Sequence, residues 1–220
     1  MRTRLRTTSI LLVLLAPAGC LQKDTTHTLY LSADGSVRWT VEETNVYSDE
    51  ADAGARFTEE QVYIGPALIG AHRAALGLQA IGPDAPIRTT VVRDERPFHV
   101  VTDARFLRVD RAFERLFRQS GLRGSASLDR LDDRNALRIR LDFGQELEEN
   151  DSPATALLED FENVSFVLTE GRFIAGGGFD VPGRTKAVIS NEWIARMEEA
   201  MKGRREIQLV LTWMYEADGR

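Results

Sequence analysis

Period-two alternation of apolar and polar residues runs through most of the chain and locates its strands. Thr26 to Leu31 alternates, Ala33-Asp34-Gly35-Ser36 supplies a turn, and Val37, Trp39 and Val41 then alternate with Arg38, Thr40 and Glu42. An Asp-Gly turn between two such runs predicts a β-hairpin. Ile87 to Val92 and Phe98 to Thr102 predict a second hairpin around Asp94-Glu95-Arg96-Pro97. In a third, Ala126 and Leu128 lead through Asp132-Asp133-Arg134-Asn135 to Leu137, Ile139, Leu141 and Phe143. Its polar face sets Asp129 across from Arg138 and Arg140, a favourable cross-strand arrangement. Val164 to Thr169, Phe173 to Ala175, Lys186 to Ile189 and Ile207 to Met214 read as further strands. The last carries Val210 and Met214 on its second face, which predicts an interior strand partly covered on both sides.

Helical spacing fills the gaps between these runs. Thr58-Glu59-Glu60 opens a helix with acids where its dipole favours them, and Gly65-Pro66 either kinks it or starts a new one that runs to about Leu78. Gly70, Ala74 and Leu78 fall four apart, giving a smooth face that fits close to a sheet. Val109, Phe113, Leu116 and Phe117 predict a helix ended by Gly121. Ser152-Pro153 starts a short one reaching about Phe161, and Ser190 caps a last one with Trp193, Ile194 and Met197 on one face. The order from Val37 to Arg130 reads βαββαβ, and Asn135 to Tyr215 reads the same again. The expected class is α+β, an antiparallel sheet with helices mainly on one face. It is either one continuous sheet or two tandem split-βαβ halves, residues 26–132 and 133–216.

The first twenty residues follow a different pattern. Arg2, Arg4 and Arg6 make a basic start, Ile10 to Leu15 an apolar run, and Ala18-Gly19-Cys20 small residues ending on the one cysteine of the chain. This is the layout of a secretory signal peptide, and the apolar run is too short to span a bilayer. It resembles the signal peptides of bacterial lipoproteins, with Pro17 standing where Leu, Val or Ile is usual. The resemblance implies removal of residues 1–19 and lipid on the Cys20 sulfur. It also implies a body held at the cell envelope, and, with Leu21 rather than Asp following, sorting to the outer membrane of a two-membrane cell. The plain alternative is a secreted protein with a free thiol. Residues 20–25 then form a tether of about six residues, at most roughly 20 Å long.

Loss of residues 1–19 takes away three arginines and no acid, which carries the formal charge from −6 to −9. An acidic body argues against nucleic acid and anionic headgroups as partners. With its cysteine lipidated the chain forms no disulfide, so its fold relies on its core. Gly178-Phe-Asp-Val-Pro-Gly183-Arg184-Thr185 comes near a phosphate-binding loop. It lacks the Lys, the preceding parallel strand and the following long helix, and reads as a turn. His27, His72 and His99 have no ligand partner at helical spacing, and Trp39, Trp193 and Trp213 read as core or rim aromatics rather than a sugar platform. The acidic runs Asp49-Glu50-Asp52 and Glu146-Glu148-Glu149-Asp151 lack the pattern of a calcium loop. No cofactor, metal or catalytic residue is expected. The first functional reading is a membrane-anchored, non-catalytic envelope protein binding a protein partner or an apolar ligand on a face carrying Val167, Val210 and Met214. The alternatives are an envelope hydrolase acting on glycan or lipid, marked by a histidine–carboxylate pair or converging carboxylates, and a structural component of an envelope complex.

Overall fold

A computed structural model describes residues 21–131, 134–144, 152–159 and 163–214. Cys20, the Asp132-Asp133 turn and the run from Glu146 to Asp151 lie outside the described residues. The class is α+β, with the strands divided between two sheets rather than gathered in one. In chain order the strands are β1 (Leu21–Leu31), β2 (Val37–Ser48), β3 (Arg88–Arg93), β4 (Phe98–Phe106), β5 (Gly124–Leu131) and β6 (Arg134–Asp142). They continue with β7 (Val164–Leu168), β8 (Arg172–Gly177), β9 (Phe179–Asp180), β10 (Lys186–Ile189) and β11 (Glu206–Met214). The helices are α1 (Ala53–Leu68), α2 (Arg73–Ile81), α3 (Val109–Ser120), α4 (Ala156–Glu159, preceded by a 3-10 turn at Pro153–Thr155) and α5 (Asn191–Lys202).

The larger sheet runs β3-β4-β2-β1-β7-β10-β9 and the smaller β5-β6-β11-β8. Among the described residues all pairings are antiparallel except β1 with β7, where Leu29 lies beside Phe166. That pairing brings strands from both predicted halves into one sheet, and β5 and β6 pair across the expected division at 132–133. The βαββαβ order is found in the first half when α1 and α2 are taken together, but the second half has four strands, β7 to β10, between α4 and α5, and the strands of the two halves interleave. Most inward residues of both sheets, among them Trp39, Phe166, Leu209 and Trp213, belong to one core cluster, while Val46, Phe98 and Val100 of the larger sheet form a second with Ile64 and Ala67 of α1. Helix α3 sits where the sheets meet: Phe113 packs on Trp39 and Phe166 with ring centroids 5.8 and 6.3 Å away, while the same helix lies against β5. All three tryptophans are buried, so they belong to the core and not to a rim.

Local differences from the sequence reading have simple causes. Asp52 accepts a hydrogen bond from the Ala55 amide at 2.8 Å, so α1 starts five residues before Thr58. The helix passes through Pro66 in its last turn and ends at Leu68, and Gly70, with φ 67°, suits the left-handed turn into α2. The close approach on α2 is therefore at Gly77, where a Cβ would meet the Pro153 carbonyl at 2.8 Å. Strand β1 begins at Leu21, so the expected tether of residues 21–25 is already strand. Gly178, which opens the run read as a turn, has φ 91° and lies against Leu209 and Trp193; a Cβ there would come within 2.6 Å of both.

Candidate functional site

Strands β1, β2 and β4 turn opposite faces toward two groups of polar residues. The inward positions of β2 are Val37, Trp39, Val41 and Glu43, so a carboxylate stands where the alternation calls for an apolar side chain. Glu43 is covered by α1 and α2 and is met by three partners. The register shift between Gln22 and Asp24 lets the Lys23 ammonium reach one carboxylate oxygen. Tyr63 of α1 donates its hydroxyl to the other at 3.2 Å, and His72 Nε2, at the start of α2, lies 3.5 Å from the same oxygen. Thr102 of β4 closes the group, its Oγ1 3.0 Å from His72 Nε2. The His72 and Glu43 side chains are each only 3% exposed. Burial holds the imidazole below its ordinary pKa, with Glu43 opposing and Lys23 reinforcing that shift. Burial and the neighbouring carboxylate push the Tyr63 phenol well above its usual range. His72 Nδ1 is buried without a hydrogen-bond partner.

The outward residues of the same strands line a concavity of about 550 Å³, within the size range of small-molecule sites. One register row crosses the sheet here: Lys186 on β10, Val167 on β7, Tyr30 on β1, Arg38 on β2 and Arg105 on β4. Arg38 and Arg105 are direct cross-strand partners, a like-charge pairing that costs a few tenths of a kcal/mol or more. The Arg38 guanidinium lies 4.4 Å from the centre of the Tyr30 ring. Among the described residues neither arginine has a carboxylate within ion-pair distance. The two acids in the wall are occupied locally. Asp84 accepts the Leu107 amide at 2.8 Å, and Asp34 accepts the Ser36 amide at 2.9 Å. Hydrogen bonds from the Ser36 side chain and amide hold the Asp34 carboxyl below its ordinary pKa. Ser32, Ser36 and Thr169 add hydroxyls, and the exposed Leu107 an apolar edge.

Of the apolar residues singled out in the sequence, Val167 stands in the arginine row. Val210 and Met214 lie on the outward side of β11 in the smaller sheet, flanked by Arg138 and Arg134 of β6. The three do not share one face. The histidines gain partners through strand pairing rather than helical spacing: His99 Nε2 lies 2.8 Å from Glu42, and His27 Nδ1 accepts from the Trp39 indole at 3.1 Å. Asp49 binds the Gln22 amide, while Glu50 and Asp52 accept backbone amides at the start of α1. Among the described residues no group of three metal-ligating side chains converges, and no helix is long and apolar enough to cross a membrane.

No family model matches the chain, and no curated protein does. Among solved structures, the NMR structure of the folded domain of Mycobacterium tuberculosis LppM aligns over 91% of this chain and 93% of that one. The TM-score is 0.37 and the identity 9%, a likeness too slight to carry an argument about fold or role.

Proposed function

We propose that the chain is a lipid-anchored envelope protein whose role is binding rather than catalysis, and that it takes a small anionic ligand against Arg38 and Arg105. One observation carries this reading: Arg38 and Arg105 are direct cross-strand partners, at an electrostatic cost, at the wall of a concavity, and among the described residues neither has a carboxylate within ion-pair distance. Arginine forks match carboxylate and phosphate oxygens, so a ligand bearing either would remove the like-charge cost. Tyr30 and Val167 in the same row give its apolar part a surface, which is where an apolar contribution to binding falls.

The hydrolase reading has the His72–Glu43 pair in its favour. Those groups, however, lie under α1 and α2, away from the concavity, with only Lys23 and Tyr63 reaching toward solvent. Titration calorimetry with inorganic phosphate and with a dicarboxylate such as succinate tests the binding role. Saturable binding that weakens in Arg38→Ala and Arg105→Ala supports it; heats that are absent, or unchanged in both variants, remove it. Anchoring is tested by metabolic palmitate labelling, with the label lost in Cys20→Ala.

A further inference from the structure

The solvent side of α1 is apolar where a surface helix is normally charged. All three of its charged residues are turned toward the body: Glu60 is buried, and Arg56 and Glu59 are partly so. Its exposed positions are Ala53, Gly54, Ala55, Phe57, Thr58, Gln61, Val62 and Leu68, none of them charged, and Ile69 continues the face. Phe57, Val62, Leu68 and Ile69 are 64, 69, 65 and 80% exposed. A helix inverted in this way is unpartnered as the chain stands.

The path of the chain says what covers it. Leu21, the first described residue, packs against the cluster of Val46, Ile64, Ala67, Phe98 and Val100 that α1 roofs. It pairs across β1–β2 with Ser48, whose amide donates to Glu60 at 3.1 Å and whose hydroxyl bonds Glu59, both on α1. Cys20 is one peptide step, about 3.8 Å, from Leu21. Fatty chains on that sulfur enter the bilayer next to this helix, with no free tether between anchor and body.

We infer that the outward face of α1 docks into the membrane surface, with Phe57, Val62, Leu68 and Ile69 entering the headgroup–acyl boundary and the anchor at Cys20 fixing the body's orientation. The partner is the apolar boundary of the bilayer and not its charge: the face carries none, and the body is acidic. Docking rests on the anchoring reading, and the test separates the two. The full chain, processed in its host, is reconstituted in phosphatidylcholine vesicles with and without brominated acyl chains, carrying Val62→Trp or Ile69→Trp. The native tryptophans are buried and provide a constant background. Arg138→Trp, on the outward side of the smaller sheet, is the control. The expected result is at least about twofold bromine quenching of the added tryptophan at 62 and 69, in vesicles without anionic lipid, and none at 138. Quenching at 62 and 69 no greater than at 138 overturns the docking face. Intact mass reports separately whether Cys20 is lipidated. If the thiol is free, coupling it to a maleimide phospholipid supplies the anchor, and the same readout decides docking.

Discussion

Glu43 and Arg38 lie five residues apart on β2 and point to opposite sides of the same pleat. The inward group around Glu43 is buried and nearly complete: the carboxylate has an ammonium, a phenol and an imidazole around it, and His72 Nδ1 is its one unmet atom. The outward group around Arg38 is exposed and incomplete: two cross-strand arginines, neither of which has a carboxylate within ion-pair distance among the described residues. The contrast separates two uses of charge. A buried carboxylate is tolerated only when its donors are fixed around it, and removing one side leaves the others desolvated and unpaired. An exposed guanidinium loses little by waiting in water, so an unanswered pair at the surface is free for a ligand. The first arrangement holds α1 and α2 onto the sheet; the second is available for recognition.

The strongest way to break the contrast is Glu43→Ala. It leaves Lys23, Tyr63 and His72 facing an empty site, and the expected loss is about 3 kcal/mol, in the range found when one partner of a buried pair is removed. Urea unfolding should show a lower midpoint at unchanged slope. A midpoint within experimental error of the wild type would mean that the network contributes nothing to stability. Arg38→Ala and Arg105→Ala should do the reverse. Each weakens binding of the anionic probe about tenfold, since one charge-assisted contact is worth about 1.5 kcal/mol or more. Stability should stay within about 0.5 kcal/mol of wild type, or rise slightly as the like-charge pair is removed. The two sides of the strand would then be separable by experiment, one by denaturation and the other by titration.

The sequence carried part of this picture. The alternation located all three hairpins, and the Asp34-Gly35 turn that joins β1 to β2 is made as read, with Gly35 at φ 76°. The inward group left a trace as well: Glu43 continues the phase of Val37, Trp39 and Val41, and Glu60 that of Ile64 and Ala67, so a charge sits on a buried face in each. That signal is legible but weak, because a chain with 34 acids places some carboxylates in phase with an apolar face by chance. The arginine pair had no such trace. Arg38 and Arg105 are 67 residues apart, and only the register of β2 on β4 makes them neighbours. The division into two sheets was likewise invisible, because period two tells which residues share a face of one strand and not which strands share a sheet. That is why Val167 parts from Val210 and Met214.

The smallest effect sharpens the comparison from the inside and depends on the sign of one titration. Burial lowers the His72 pKa in the folded chain, so below about 6.5, the ordinary histidine value, the unfolded chain binds the proton more readily than the folded one. Stability should therefore be full above neutral pH and fall as the pH drops through 6.5 toward the folded value, with a slope of at most about 1.4 kcal/mol per pH unit from this one group. His72→Gln should flatten that part of the curve. Unfolding midpoints measured at half-unit steps from pH 7.5 to 5 read this directly. If the decline persists unchanged in His72→Gln, the acid sensitivity belongs to other groups, and the imidazole under α2 is a spacer rather than a titrating member of the Glu43 network.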